Sequence, residues 1–191
     1  MKKIGILGGT FNPIHHGHLI LGQTALEDFG LDKVLIVPTK NPAYKKISKN
    51  VEIEDRVNMV RMAIENHPGF EFSDIELDRE GYTYTVDTLR KLTRLHPDAE
   101  YYFIMGADSL YQIESWKDPG QILSMATIWL HPEMIPGVHW MHRLNTFRTS
   151  IRDVFIIWTV QIWKSHRMRS ERGRPEDRAS AILYRKKSDF I

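Results

Sequence analysis

Short apolar runs alternate along this chain with segments whose apolar residues recur at helical spacing. The runs at residues 3–7, 34–37 and 101–105 predict buried strands, and the alternation at 70–77 predicts another. Helices are predicted at 12–29, 53–66 and 84–95, with short ones at 110–116 and 119–125. Strands that alternate with helices indicate an α/β fold, a Rossmann-like parallel sheet with helices on both faces.

The ends of the predicted strands indicate where a ligand binds. In parallel sheets of this kind, ligands bind beyond the carboxyl ends of the strands. The two strand exits richest in small and polar residues are 8–10 and 106–109. We therefore expect the site at these exits.

The composition narrows the class of protein. The length of 191 residues fits one α/β domain. The chain has no cysteine, which excludes disulfides and thiolate–zinc sites. Its apolar runs are shorter than the ~20 residues of a membrane span, and its start does not fit a secretory signal. We expect a cytoplasmic protein with no membrane partner.

Residues 8–18 read Gly-Gly-Thr-Phe-Asn-Pro-Ile-His-His-Gly-His and join the first strand to the first helix. A helix that begins here presents free backbone N–H groups to a phosphate, and Gly8 and Gly9 let the backbone approach a ligand closely. His15 and His18 are three residues apart, so they face one side of a helix. Two imidazoles beside such a helix end predict stabilisation of charge on a phosphoryl group.

This segment resembles the signature of the H-x-G-H nucleotidyltransferases, and its full form is similar to that of the nicotinic acid mononucleotide adenylyltransferases. Similar blocks follow in the family's order at residues 37–38, 56–63, 82–89, 103–110 and 116–117. The resemblance extends over residues 3–128. It implies an enzyme that joins AMP from ATP to nicotinic acid mononucleotide, giving deamido-NAD and pyrophosphate.

The resemblance also implies a role for each matching residue. His18, assisted by His15, is expected to stabilise the transition state at the α-phosphate of ATP. Thr85 is expected to bind the pyridine carboxylate and Trp116 to stack on the pyridine ring. Mg²⁺ is expected to arrive with ATP, and no metal site on the protein is predicted. The implied substrate-binding residues are Gly8, Gly9, Thr10, Phe11, Thr85, Gly106, Asp108 and Trp116, the adenosine part falling to Gly106 and Asp108.

Taken from the residues alone, several of these positions have plainer interpretations. Residues 82–85 fit a strand or a turn. Trp116 fits a half-buried packing residue, and Asp108 fits a helix cap.

The chain departs from the family pattern in two places. The family often has P-P-H-K where this chain has Asn-Pro-Ala-Tyr-Lys at 41–45. Lys45 lies in a basic loop beside the expected site and is a candidate ligand for phosphate. Residues 129–191 match none of the family's later blocks, such as I-S-S-T-x-I-R, which binds ATP phosphates. We therefore divide the chain into a nucleotidyltransferase core at 1–128 and an atypical C-terminal segment at 129–191.

A change of reading frame explains the C-terminal segment better than divergence. When the third base of each codon is joined to the first two of the next, residues 179–188 permit Ile-Arg-Tyr-Ile-Val-Pro-Glu-Glu-Val. In the same frame, residues 164–171 permit Ile-Ser-Ser-x-Ala-Ile-Arg. Both strings resemble family blocks and keep the family's spacing. We expect residues 129–191 to be poorly ordered or packed unlike the family.

Other functions are open at this point. Residues 129–191 carry 12 Lys and Arg against 6 Asp and Glu, so they could form an arginine-rich arm of an RNA-binding protein. They contain no RNA-recognition motif, and nucleic acid is not an expected partner. Another H-x-G-H transferase, acting on phosphopantetheine or nicotinamide mononucleotide, is an alternative, but Thr83-Tyr84-Thr85 favours nicotinic acid mononucleotide. Self-association is left open.

Overall fold

The computed structural model describes residues 1–44, 51–106, 109 and 112–130, and the backbone of residues 157–161 and 181–185. At its centre lie five strands: β1 (Lys2–Gly9), β2 (Lys33–Pro38), β3 (Phe70–Phe72), β4 (Ala99–Met105) and β5 (Thr127–Leu130). They form one sheet in the order β3-β2-β1-β4-β5, and all neighbouring pairs are parallel. The predicted parallel sheet is confirmed.

Helices cover both faces of this sheet. They are α1 (His16–Asp28), α2 (Ile53–Ile64), α3 (Thr85–Leu95) and α4 (Pro119–Met125), with one turn of 3₁₀ helix at Ile113–Ser115. Leu21 of α1 and Val60 of α2 belong to the core on one face. Leu89 of α3 and Ile122 of α4 belong to the core on the other. Burial on both faces explains why the strands are continuous apolar runs.

Two further strands follow β5. They are β6 (Ile157–Gln161) and β7 (Ala181–Arg185), and they pair antiparallel with each other. The boundary expected between residues 128 and 129 falls within strand β5, and the division of the chain there stays a prediction. Most of the C-terminal segment lies outside the described residues, so the expectation that it is poorly ordered also stays a prediction. Among the helices that the structure describes, none has the length and apolarity to span a membrane.

The first helix begins later than the pattern predicts. The predicted start was residue 12, whereas α1 begins at His16 with His15 as its N-cap. Phe11 has a positive φ of 45°, so the chain turns sharply after β1 before the helix starts. The backbone N–H of His15 donates to Nδ1 of His18 at 3.2 Å. This hydrogen bond gives the N–H of His15 an acceptor at the N-terminal end of α1, and it favours a helix that starts at His16.

The strand predicted at 70–77 is also shorter in the structure. Strand β3 ends at Phe72, because the backbone beyond it turns away from β2 after Ser73 donates to the carbonyl oxygen of Ile36 at 3.0 Å. The N–H of Leu77 then donates to the carbonyl oxygen of Asp74 at 2.7 Å and closes a turn. The apolar and polar alternation of this segment therefore covers a short strand followed by a turn, in which the consecutive residues Ile75 and Glu76 are both buried. Of the helix predicted at 110–116, residues 112–116 are described, and they contain a 3₁₀ turn at Ile113–Ser115.

The order of the strands places a crevice between β1 and β4. From β1 the chain moves outward to β2 and β3, and it then returns to build β4 and β5 on the other side. Ligands of open parallel sheets bind at such a switch point. Leu7 of β1 lies beside Ile104 of β4, so the two exits richest in small residues come together.

Candidate active site

A cleft of about 890 Å³ opens at this switch point. The exits of β1, β2 and β4 and the N-terminal ends of α1 and α3 surround it. Phe11 is buried beside it at 1% exposure, while Lys45 and Asp108 lie outside the described residues. The other predicted site residues all line the cleft, namely Gly8, Gly9, Thr10, His15, His18, Thr85, Gly106 and Trp116.

The two histidines meet at the first turn of α1. The ring centroids of His15 and His18 are 3.7 Å apart, with the planes inclined at 33°. Nδ1 of His18 accepts the N–H of His15, so the neutral His18 ring carries its proton on Nε2. A ring N–H donor and the positive end of a helix dipole therefore stand at the same place, which suits a phosphate.

Two glycines of this segment avoid close contacts that a side chain would make with the Phe11 and His15 rings. A Cβ on Gly9 would approach the Phe11 ring to 2.9 Å, and a Cβ on Gly17 would approach Nδ1 of His15 to 3.1 Å. The Phe11 ring also meets the His18 ring edge-on at 5.0 Å. Phe11 thus anchors the turn and packs against His18, while the role expected for its backbone amide stays a prediction.

A buried arginine, which the sequence did not single out as a site residue, holds two strand exits together. Arg56 of α2 is 2% exposed. Its guanidinium donates to the backbone oxygens of Thr10, Thr39 (2.9 Å) and Lys40 (3.3 Å), and burial lowers the pKa of Arg56. In the sequence it is one polar position of an amphipathic helix, so no local signal marks it.

A buried glutamate was missed as well. Glu76 lines the cleft at 6% exposure, and its Oε1 accepts a hydrogen bond from the Thr88 hydroxyl at 2.7 Å. Burial raises the pKa of Glu76, and the opposing effects of Thr88, Thr39 and Arg79 are smaller. A carboxyl group with a raised pKa carries less negative charge, which matters in a cleft suited to anions.

Thr85 is the first residue of α3. The preceding Tyr84 is extended, with φ −118° and ψ 135°, and among the described residues no side chain caps this helix. The first N–H groups of a helix have no acceptor within it, so the end of α3 can take an acceptor from the cleft. The plainer interpretation of residue 85 as a strand or turn residue is wrong, because it starts a helix.

Trp116 lines the cleft. The ring of Phe103 meets its indole at 88° with 6.1 Å between centroids. The ring of Tyr44 lies parallel to it, at 5° and 6.0 Å. Within the described part of the chain nothing accepts a hydrogen bond from the buried indole N–H. The indole is therefore both a packing residue and a wall of the cleft.

Gly106, directly after β4, also lines the cleft. Its carbonyl oxygen accepts the N–H of Ser109 at 3.2 Å, and both residues line the cleft. In residues 1–44, 51–106, 109 and 112–130, no group of three His, Asp or Glu side chains is placed to hold a metal ion.

Comparison with known proteins shows which family and which relatives this chain is similar to. The sequence model of the cytidylyltransferase-like family matches residues 6–168. A probable nicotinate-nucleotide adenylyltransferase of Lachnoclostridium phytofermentans is 48% identical over 128 residues, covering 67% of this chain and 64% of the relative. A protein of the same name from a Thermoanaerobacter species is 43% identical over 163 residues, covering 84% and 76%. The chain spans 60–64% of the length of the first curated relatives that it matches.

A solved structure shares the fold. Plasmodium falciparum nicotinic acid mononucleotide adenylyltransferase, complexed with NaAD, superposes with a TM-score of 0.63 at 22% identity, covering 75% of this chain and 71% of that one. The predicted Rossmann-like fold and the resemblance predicted from residues 8–18 are both confirmed.

Proposed function

This chain belongs to the cytidylyltransferase-like family, and we propose that it transfers AMP from ATP to nicotinic acid mononucleotide, giving deamido-NAD and pyrophosphate. The observation that carries the proposal is the cleft at the switch point. One cavity combines two histidines at a helix N-terminus, a glycine-rich strand exit and an aromatic wall beside a second helix N-terminus. The names of the relatives support the choice of reaction.

The reaction needs positioning and charge stabilisation more than a base. The phosphate of the mononucleotide is already a nucleophile, and one of its oxygens attacks the α-phosphorus of ATP. The bond from that phosphorus to the bridging oxygen breaks, and pyrophosphate leaves with the electron pair. His18 would donate from Nε2 to an oxygen of the α-phosphate as negative charge develops there, with His15 supporting it. Mg²⁺ would enter as part of the substrate, bound to the ATP phosphates.

The phosphates would lie over the first turn of α1. Backbone N–H groups around Gly9, Thr10 and Phe11 would bind them, because a glycine-rich turn before a helix allows close approach. Lys45 is proposed as an additional phosphate ligand.

The pyridine ring would occupy the side of the cleft between α3 and Trp116. The ring carboxylate would accept hydrogen bonds at the N-terminus of α3, from Thr85, and the helix dipole there favours a negative group. Trp116 would stack on the ring. Adenosine would take the opposite side, next to Gly106, with Asp108 accepting from the ribose hydroxyls.

We place the enzyme in the cytoplasm. Its substrates are soluble nucleotides, and a chain without cysteine gains nothing from an oxidising compartment.

The choice of acceptor tests the proposal. A charge-assisted bond to a carboxylate is about twice as strong as one to an amide, so the acid mononucleotide is expected to exceed nicotinamide mononucleotide in kcat/KM by roughly tenfold or more. The measurement compares the two acceptors and phosphopantetheine at saturating Mg–ATP, in the chain as written and in the version with the shifted reading frame. Equal kcat/KM for acid and amide, or turnover of phosphopantetheine alone, would show that the substrate is misassigned.

A further inference from the structure

The position of Tyr44 is set by a short segment that pairs with another part of the chain. Pro42 forms a parallel bridge with Thr83, and the N–H of Thr83 donates to the carbonyl oxygen of Asn41 at 2.8 Å. The side-chain amide of Asn41 donates to the carbonyl oxygen of Gly81 at 3.2 Å. The segment before Tyr44 is therefore attached to the segment that leads into α3.

This attachment brings the Tyr44 ring against Trp116. The two rings are parallel within 5°, with centroids 6.0 Å apart, an offset-stacked arrangement. Tyr44 also meets the Tyr84 ring at 67° and 6.1 Å. The indole also contacts the Phe103 ring, and the two ring planes are nearly perpendicular. Phe103 belongs to the core at 7% exposure, so the indole contacts both a fixed core ring and Tyr44.

The tyrosine hydroxyl adds a polar contact at the same place. The backbone N–H of Lys117, the residue after Trp116, donates to the Tyr44 oxygen. The Lys117 ammonium in turn lies 3.1 Å from the Asp87 carboxylate of α3. Partial burial opposes ionisation of Asp87, but hydrogen bonds from Lys117 and Arg90 and the positive charges of Lys117 and Arg79 outweigh it, and the pKa of Asp87 is lowered. Tyr44 therefore contacts both the indole and the backbone that carries it.

We propose that Tyr44 is a positioning residue for substrate recognition, which holds the Trp116 indole in the orientation that stacks on the aromatic ring of the mononucleotide. This inference rests on the proposed function and deepens it. Phe103 contacts the indole from the core, whereas the contact that fixes it from the loop after β2 comes from Tyr44. Loss of the Tyr44 ring frees the indole on that side, so binding of the substrate ring weakens and binding of ATP does not.

The test measures equilibrium binding in the full chain, so that it does not depend on turnover. Nicotinic acid mononucleotide and Mg–ATP are titrated separately by calorimetry into the wild type, Tyr44→Ala, Tyr44→Phe and the control Tyr82→Ala. Tyr82 is 59% exposed and close in the chain. We expect Tyr44→Ala to raise the Kd of the mononucleotide about three- to tenfold, the loss of one aromatic pair. Tyr44→Phe keeps the ring and stays within about twofold of the wild type, as does Tyr82→Ala.

The outcomes separate this inference from the proposed function. A wild type that does not bind the mononucleotide overturns both. A wild type that binds it, together with a Tyr44→Ala variant of unchanged Kd, overturns the role of Tyr44 alone. Equal losses for both ligands in Tyr44→Ala, with a lowered melting temperature, indicate a general structural role and also overturn it.

Discussion

At the scale of single residues, the orientation of one imidazole decides whether the cleft can act on a phosphate. His18 accepts the N–H of His15 at Nδ1 and meets the edge of the Phe11 ring. The proton of the neutral ring is therefore on Nε2, the nitrogen that must donate to a phosphate oxygen. The chemistry proposed for His18 follows from these two contacts and from its place on the first turn of α1.

His18→Ala removes that donor. We expect kcat for adenylyl transfer to fall by about 10²–10³, the usual cost of losing one donor to a developing oxyanion. The control is His16→Ala, since His16 belongs to the same motif but is exposed and does not line the cleft. Steady-state kinetics with both substrates, in the version of the chain with the shifted reading frame, measures the effect, and a circular dichroism melt checks that the fold is kept. A His18→Ala variant with near-normal kcat would remove His18 from the mechanism.

Glu76 gives a prediction about pH. Its pKa is raised in the folded state by burial, so the folded protein holds the proton more tightly than the unfolded chain. Its contribution to stability is complete below the ordinary pKa of 4.5 and is lost as pH rises through the raised pKa. The Glu76→Gln side chain cannot ionise. Its free energy of unfolding should therefore increase relative to that of the wild type as pH rises.

Urea unfolding of wild type and Glu76→Gln at several pH values between about 4 and 8 measures this gain. Glu80→Gln, at an exposed position nearby, controls for the loss of a negative charge. A constant difference between Glu76→Gln and wild type over that range would show that folding does not raise the pKa of Glu76.

Residues of the site differ in how far the sequence could predict them. The glycines and histidines of 8–18 were accessible because they act within one strand–turn–helix segment, where spacing alone indicates their roles. Arg56 and Glu76 act through partners far along the chain, Thr10 for the first and Thr88 for the second. The order of apolar and polar residues along the chain does not indicate such tertiary contacts.

At the scale of elements, Arg56 joins helix α2 to the exits of β1 and β2. We expect Arg56→Met to lower the free energy of unfolding by about 2–4 kcal/mol, because three backbone oxygens lose a buried donor. Arg61→Met on the same helix is the control. The Arg61 guanidinium lies over the Phe72 ring at 3.9 Å, an exposed contact worth about 0.5–1 kcal/mol. Denaturant unfolding compares the variants, and equal losses would mean that Arg56 does not brace the site.

The elements themselves were predicted well where apolar pattern decides them. Strands β1, β2 and β4 fall on the predicted runs because both of their faces are buried. The start of α1 and the end of β3 were placed wrongly. The first depends on a positive φ at Phe11 and on a side-chain cap by His18, and the second on a turn closed at Leu77. Backbone geometry of this kind leaves no periodic signal.

At the scale of the whole molecule, residues 129–191 determine whether the ATP site has all the parts that the family resemblance implies. The resemblance implies that a later serine–arginine block binds the ATP phosphates, and we expect its loss from residues 129–191 to cost charge-assisted contacts worth about 1.5–3 kcal/mol each. If the family's last strand and helices are missing, an apolar edge and face of the sheet are left uncovered, which also favours aggregation. We expect the chain as written to be weakly active or inactive, and the version with the shifted reading frame to be more soluble and more active.

Side-by-side thermal melts and adenylyl-transfer assays of the two versions measure this difference. The gene sequence around codons 125–132 is the accompanying control, since an insertion or deletion there is what the interpretation requires. If the chain as written melts cooperatively and turns over as fast as the restored version, its C-terminal segment is a genuine alternative element.

The most direct test of the central claim follows the phosphorus atoms of ATP. Both versions of the chain are incubated with nicotinic acid mononucleotide, Mg²⁺ and ATP labelled at either the α- or the γ-phosphate, and the products are separated by chromatography. The account predicts that the restored version moves the α-label into deamido-NAD and the γ-label into pyrophosphate, in equal amounts, and that the chain as written does so slowly. Absence of α-labelled dinucleotide from both versions, or release of γ-label as orthophosphate, would contradict it.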